Sequence, residues 1–245
     1  MQDVTGKKML VVSAHPGDLL WRCSGSVAKH VALGGEAQAI VLTYGTGGEA
    51  NELMKLGMTV EEAKKTRRNA IEEAAKILGL SNVEFWDLPD YRFEITQDKT
   101  YKLATFLRSY HPDLILTHHG KDILNPDHGV ILDYVNMAME VASGLGIHIE
   151  GTTPGLNRAP MFCLAPHAAE ANGFVPNLYV DITEVIDKKI AAMATFPQKK
   201  ALAESYLERA KYRAVNARSF GRSQCKYAEA FEAVYPIAQY GNFIY

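Results

Sequence analysis

The sequence predicts an α/β fold: a Rossmann-like, mostly parallel sheet flanked by helices, with a C-terminal elaboration of strand and helix. Three observations predict it. Short apolar runs alternate with longer segments of helical length over residues 1–145. The connections between them are short, which favours parallel strands joined by helical crossovers. The residues capable of chemistry fall just after the apolar runs, where ligands bind in open parallel sheets.

The elements follow in order. KMLVVS (8–13) is an apolar run read as a buried parallel strand. Residues 19–33 are long enough for a helix, stopped by Gly34-Gly35. AQAIVLTY (37–44) is the second strand. A helix spans 59–79, with Thr59 and Glu62 forming a capping box and Gly79 the C-cap. VEFWDL (83–88) is the third strand, 97–110 a helix ending before His111-Pro112, DLILTHH (113–119) the fourth strand, and 127–145 a further helix. A stretch rich in Gly, Pro, Asn and Thr follows. Then come the strands MFCLA (161–165) and LYVDIT (178–183), and helices over 184–196 and 198–217. The expectation is a single domain over 1–245, with a Rossmann-like half at 1–150 and the elaboration at 151–245. No G-x-G-x-x-G follows the first strand, so a dinucleotide is not supported.

Composition narrows the function. Apolar residues make up 47% and charged residues 22%, and the net charge is -2 with both signs interspersed, so there is no basic footprint for nucleic acid or an acidic membrane surface. No apolar run approaches the length of a membrane span, and the N-terminus lacks a signal-peptide layout. Three scattered cysteines, Cys23, Cys163 and Cys225, point to a reducing, cytoplasmic setting rather than a disulfide framework. The aromatic C-terminus, ending GNFIY, predicts a subunit interface and a homo-oligomer, with intramolecular packing as the alternative.

The strand tips carry the chemistry. His15 and Asp18 follow the first strand; Thr46, Gly47, Gly48 and Glu49 the second; Asp87, Asp90, Tyr91 and Arg92 the third. His118, His119, Asp122, Asn125, Asp127 and His128 follow the fourth, and His167 follows MFCLA. Two histidines and an aspartate from separate loops match a three-ligand catalytic metal site, and His15, Asp18 and His128 are the candidate ligands. Asp122 and Asp127 are candidates to orient an imidazole. The competing reading is that His15 and Asp18 only cap the helix that starts at Leu19. His118 and His119 are adjacent at a strand end and point in different directions, so one of them is placed to line the site.

These stretches carry a resemblance. VVSAHPGD, the GGE loop, the Arg67-Arg68 pair leading into EEAAKILG, NPDH, and VDIT followed by KK together resemble the PIG-L/LmbE-like superfamily of zinc-dependent N-deacetylases. The resemblance implies zinc on His15, Asp18 and His128, with manganese or iron(II) as alternative ions. It also exposes departures. Where the deacetylase motif A-H-P-D-D has its general base, this chain has Gly17; the oxyanion histidine falls at Asn125; and the glutamate after the arginine pair falls at Ala70. Glycine cannot accept a proton.

The chain is more similar to a subgroup, the 4-oxalomesaconate hydratases of bacterial aromatic-acid breakdown, through Trp21-Arg22, the G-x-x-G-E loop (45–49), DLPDY (87–91), Pro166-His167 and YAEAF (227–231). In that subgroup the acid and base fall at Glu49 and His167. The resemblance thus implies a hydro-lyase acting on an unsaturated keto polycarboxylic acid. Arg22, Arg67, Arg68 and Arg92 are candidate carboxylate forks and Asn125 a further substrate contact. The rival expectations are an N-deacetylase of an acetylated amino sugar or small amide, with Glu49 or another carboxylate as substitute base, and a non-catalytic metal-binding or sensor homologue.

Overall fold

β1 (Lys8–Ser13) lies in the interior, with Leu10, Val11 and Val12 all fully buried. Its side chains alternate between two cores. Met9 and Val11 join one apolar cluster, Leu10 and Val12 the other. Burial on both faces makes the run continuously apolar, and each such side chain contributes roughly 1.5–3 kcal/mol. The computed structural model describes residues 4–91, 93–221 and 223–236.

After β1 the chain makes one short turn of helix, α1 (Pro16–Asp18), then a π turn over Leu19–Cys23, then α2 (Ser24–Ala32). The helix predicted over 19–33 is therefore interrupted, because Cys23 leaves helical geometry at φ -144°. β2 (Glu36–Val41), α3 (Asn51–Lys55), α4 (Val60–Leu78) and β3 (Asn82–Phe85) follow. The Thr59–Glu62 capping box forms, and Gly79 closes α4 in the left-handed region at φ 80°. α5 (Gln97–Tyr110), β4 (Leu114–His118), α6 (Pro126–Ser143) and β5 (Met161–Leu164) continue the alternation. The last elements among the described residues are β6 (Leu178–Asp181), α7 (Ile186–Ala194), α8 (Lys200–Ser219) and β7 (Ala228–Ala233).

Among the described residues the strands form one seven-stranded sheet in the order β3-β2-β1-β4-β5-β7-β6. The first five are parallel; β7 runs antiparallel to both β5 and β6. β7 is absent from the predicted elements. Its sequence, AEAFEA, is alanine and glutamate rather than β-branched, and it is a strand because β5 and β6 pair with it on either side. The sheet order reverses between β1 and β4, and the carboxyl ends of these strands deliver His15 and His118. No helix among the described residues is long and apolar enough to cross a membrane.

Candidate functional site

His15 and Asp18 reach one point because β1 ends and α1 begins between them. The His15 amide donates to Asp18 Oδ2 at 3.0 Å, so the aspartate closes the turn as well as facing the site. His128 comes from the first turn of α6, which Pro126 starts. His15 Nδ1, His128 Nε2 and Asp18 Oδ2 form a nearly equilateral triangle: 3.2 Å between the two nitrogens, 3.4 Å from His15 to Asp18, and 3.3 Å from His128 to Asp18. Three donors held about 2.0–2.1 Å from a tetrahedral ion stand about 3.3–3.4 Å apart, so the triangle has the size a metal needs. Glu49 Oε1 lies 3.5 Å from His15 Nδ1, and its carboxylate stands with these three in one group of four donors close enough to surround an ion.

The surroundings suit a cation. Five carboxylates, from Asp18, Glu49, Asp90, Asp122 and Asp127, stand against two guanidinium groups, from Arg22 and Arg67. Burial disfavours protonation of His15, yet the charge of Glu49 and hydrogen bonds to Asp127 and Asp18 hold its pKa well above the usual imidazole value. Burial likewise opposes charge on His128, and Asp18 and Asp122 outweigh it and raise its pKa. Asp18, although buried, is held well below the usual carboxylate range by the charge of His128 and by hydrogen bonds to His128 and His15. Two nitrogen donors, one oxygen donor and excess negative charge fit a divalent ion of the zinc, manganese or iron(II) kind.

Each imidazole is oriented from behind. Asp122 Oδ2 lies 2.9 Å from His128 Nδ1, and Asp127 Oδ2 3.3 Å from His15 Nε2. Asp127 is itself fixed by the Tyr91 amide, which donates to both its oxygens at 2.9 and 3.0 Å. His118 stacks on the His128 ring, centroids 3.9 Å apart, and its Nε2 accepts the Ala14 amide at 2.9 Å. Burial and the neighbouring His128 charge push its pKa well below the ordinary value, which keeps it neutral. His119 points away, toward Phe174 and Glu232.

A cleft of about 250 Å³ opens beside the triangle, and Asp18, Trp21, Glu49, Arg67, Asn125 and His167 are among its walls. At its floor Gly17 packs under the Trp21 indole: a Cβ at position 17 would stand 2.4 Å from Trp21 Nε1. The space an aspartate would need is filled. The Glu49 loop is tied down by Asp90, whose carboxylate accepts the amides of Gly45 and Gly47. DLPDY thus braces the site twice, through Asp90 and through the Tyr91 amide.

The four arginines separate. Arg67 is 3% exposed; one nitrogen donates to Glu49 Oε2 at 2.9 Å, while its Nε is buried with no hydrogen-bond partner among the described residues. Arg22 is occupied: Nε donates to Asp18 Oδ1 at 2.9 Å, another nitrogen donates to the Ala165 carbonyl at 2.6 Å, and a third lies 3.6 Å from Asp122. Arg68, expected as a carboxylate fork, is not a wall of the cleft. About 100° around α4 from Arg67, it lies over the Phe85 ring at 4.4 Å and donates to the Tyr44 hydroxyl. Arg92, and the GNFIY tail on which the expected subunit interface rests, lie outside the described residues. Asn125 lines the cleft with its Oδ1 buried and unpartnered among the described residues. His167 sits in the loop after β5, its pKa lowered by burial and by Arg209 and Arg22.

A mostly parallel α/β sheet with a cluster of His, Asp and Glu donors that could hold a metal ion at its switch point defines the class of protein, an α/β fold with a candidate metal site. The family follows from comparison: residues 10–139 match the family model described as PIG-L, GlcNAc-PI de-N-acetylase, and the chain belongs to the PIG-L family. It is 35% identical over 238 residues to 4-oxalmesaconate hydratase of Pseudomonas putida, covering 94% of this chain and 90% of that one. It is 25% identical over 201 residues to diacetylchitobiose deacetylase of Thermococcus kodakarensis, covering 77% and 68%. Among solved structures it superposes on GalB, the 4-carboxy-2-hydroxymuconate hydratase from Pseudomonas putida KT2440, with a TM-score of 0.89 at 32% identity, over 96% of this chain and 99% of that one.

Proposed function

We propose that this chain is a zinc-dependent hydratase that adds water across a C=C bond conjugated to a carbonyl, in an unsaturated keto polycarboxylic acid such as 4-oxalomesaconate. The observation that carries the reading is the floor of the cleft. Gly17 offers no base, and Trp21 fills the volume a carboxylate would take. Proton chemistry then falls to the walls. Support comes from the 35% identical hydratase, whose named reaction needs no base at that position to attack an amide.

His15, Asp18 and His128 would hold the zinc ion, which when bound would supply Lewis-acid stabilisation of the negative charge that develops on the substrate. Glu49, paired with Arg67 at 2.9 Å and 3.5 Å from His15 Nδ1, takes a proton from the attacking water at Oε1. His167 carries the second proton transfer, to carbon. Arg67, with its Nε unused, anchors a substrate carboxylate, and Asn125 takes up a hydrogen bond from the substrate. Arg22 orients Asp18 rather than the substrate. A cytoplasmic setting agrees with three buried, unpaired cysteines.

The test is turnover of a panel of conjugated keto acids with added zinc, followed by absorbance. Loss of the conjugated chromophore is expected. Glu49→Ala lowers kcat by about 10²–10⁴. Full activity in that variant overturns the role of Glu49, and release of acetate from acetylated glucosamine derivatives with no hydration overturns the hydratase reading in favour of a deacetylase.

A further inference from the structure

Two stretches that carry the family resemblance, VDIT with its following KK and YAEAF, give no residue to the cleft wall. Each instead sends one charge into the core. Lys189 is 1% exposed and Glu229 5%, and they pair at 2.7 Å. Their other contacts all fall on one place, the π turn and the start of α2. Lys189 Nζ donates to the carbonyls of Trp21 at 2.9 Å and Leu20 at 3.3 Å. Glu229 accepts the amides of Gly25 at 3.0 Å and Ser26 at 2.7 Å.

In a regular α-helix the amide of residue 25 would bond the carbonyl of residue 21. Here the amide goes to Glu229 and the carbonyl to Lys189, so the ion pair stands between two groups that an α-helix would join directly. Gly25 permits the approach: a Cβ there would lie 3.1 Å from Glu229 Oε1 and 2.6 Å from Ile182 Cδ1. The stretch held in this way is the one that presents Trp21 over Gly17 and Arg22 to Asp18 and Asp122. Trp21, Arg22, Lys189 and Glu229 also border one small gap of about 20 Å³, so the pair abuts the side chains it would hold.

We propose that Lys189 and Glu229 are positioning residues for the reaction centre: their ion pair stabilises the widened turn over Leu19–Cys23 that carries Trp21 into the cleft and sets Arg22 on the metal-donor Asp18. A buried pair costs solvation that an apolar pair would not, and a role in fixing one backbone register is what offsets that cost. The inference rests on the reading of the cleft as the reaction site, but its test does not rest on the substrate.

The test uses the full chain with Trp86→Phe, which leaves Trp21 as the sole tryptophan. Lys189→Met is compared with Lys189→Met/Glu229→Gln, which leaves no unpaired charge in the core and carries the test should the single variant fail to fold. Zinc affinity is read by competition with a chromogenic chelator, and Trp21 by its emission. Displacement of the turn weakens zinc about tenfold, the lower end for residues behind metal ligands, and shifts the Trp21 emission to the red. On the keto-acid substrate kcat falls about tenfold with KM within twofold. Parental zinc affinity and emission, with only a lower melting temperature, overturn the proposal and leave the pair a support of the core. Absence of keto-acid turnover in the parent, by contrast, overturns the hydratase reading and leaves the zinc and emission readouts to decide this one.

Discussion

An aspartate at position 17 would put its Cβ 2.4 Å from an indole nitrogen, so the missing base cannot be restored by one substitution. Trp21 is held on two sides, stacked on Tyr206 with centroids 6.2 Å apart and meeting Phe196 edge-on at 6.1 Å. Gly17→Asp is expected to lose about 1–3 kcal/mol to overpacking, or about 2–10 °C in melting temperature, and to release no acetate from acetylated sugars. A variant with parental stability would show that the indole yields. Asp122 makes a second residue-level case. Burial raises its pKa, but the hydrogen bond to His128 and the charges of His128 and Arg22 win and lower it. A carboxyl depressed on folding contributes stability above its unfolded pKa of about 3.9, and that stability disappears as pH falls through the lower folded value. In chelator, Asp122→Asn should melt about 4–8 °C below the parent at pH 7, for about 2 kcal/mol of charge-assisted hydrogen bonding. That gap should close as the pH drops below about 4. A gap of constant size from pH 7 to pH 3 would remove Asp122 from this account.

At the scale of elements, the loop between β2 and α3 carries Glu49, and Asp90 ties its first glycines through the amides of Gly45 and Gly47, with Thr43 Oγ1 sharing the Gly45 amide at 3.1 Å. Asp90→Ala removes two charge-assisted bonds without touching the donor triangle. It should raise the barrier by about 1.5–3 kcal/mol, roughly tenfold or more in kcat, while zinc affinity stays within twofold. A parallel loss of zinc affinity would mean that the loop helps to hold the ion. Which elements could be read in the sequence follows from where their determinants lie. α4 and α5 were legible because their caps are local: Thr59, Glu62 and Gly79 sit within or beside α4, and His111 ends α5 in the left-handed region. The pairing of His15 with Asp18 was legible for the same reason, three residues apart in one turn. The π turn was not, because its partners Lys189 and Glu229 lie 168 and 204 residues away. Nor was β7, a strand by pairing rather than composition. Arg67 and Arg68 differ only in which side of α4 they occupy, and adjacency in sequence carries no information about that until the helix is docked.

At the scale of the whole molecule, the donor triangle joins parts of the chain that only folding brings together. His15 leaves β1 and His128 enters α6, 113 residues later, and they meet 3.2 Å apart at the reversal of the sheet. Asp18 and Asp122 come from the same two segments, with Arg22 bridging them at 2.9 and 3.6 Å. The unfolded chain holds no such triangle, so an ion bound there stabilises the native state alone. Free zinc at about 100 times its dissociation constant should therefore add about 2.7 kcal/mol, or about 5–10 °C in melting temperature for a chain of this size. Chelator should reverse the gain. His128→Ala should abolish it, because the triangle is left with two donors and makes a weak site, whereas Glu49→Gln should retain most of it, because the triangle itself stays whole. Differential scanning calorimetry across a zinc titration separates these outcomes. A zinc-dependent rise of equal size in His128→Ala would mean that the ion binds elsewhere and that the triangle is no metal centre; a rise lost in Glu49→Gln would make the glutamate a fourth ligand and deny it the proton chemistry assigned to it.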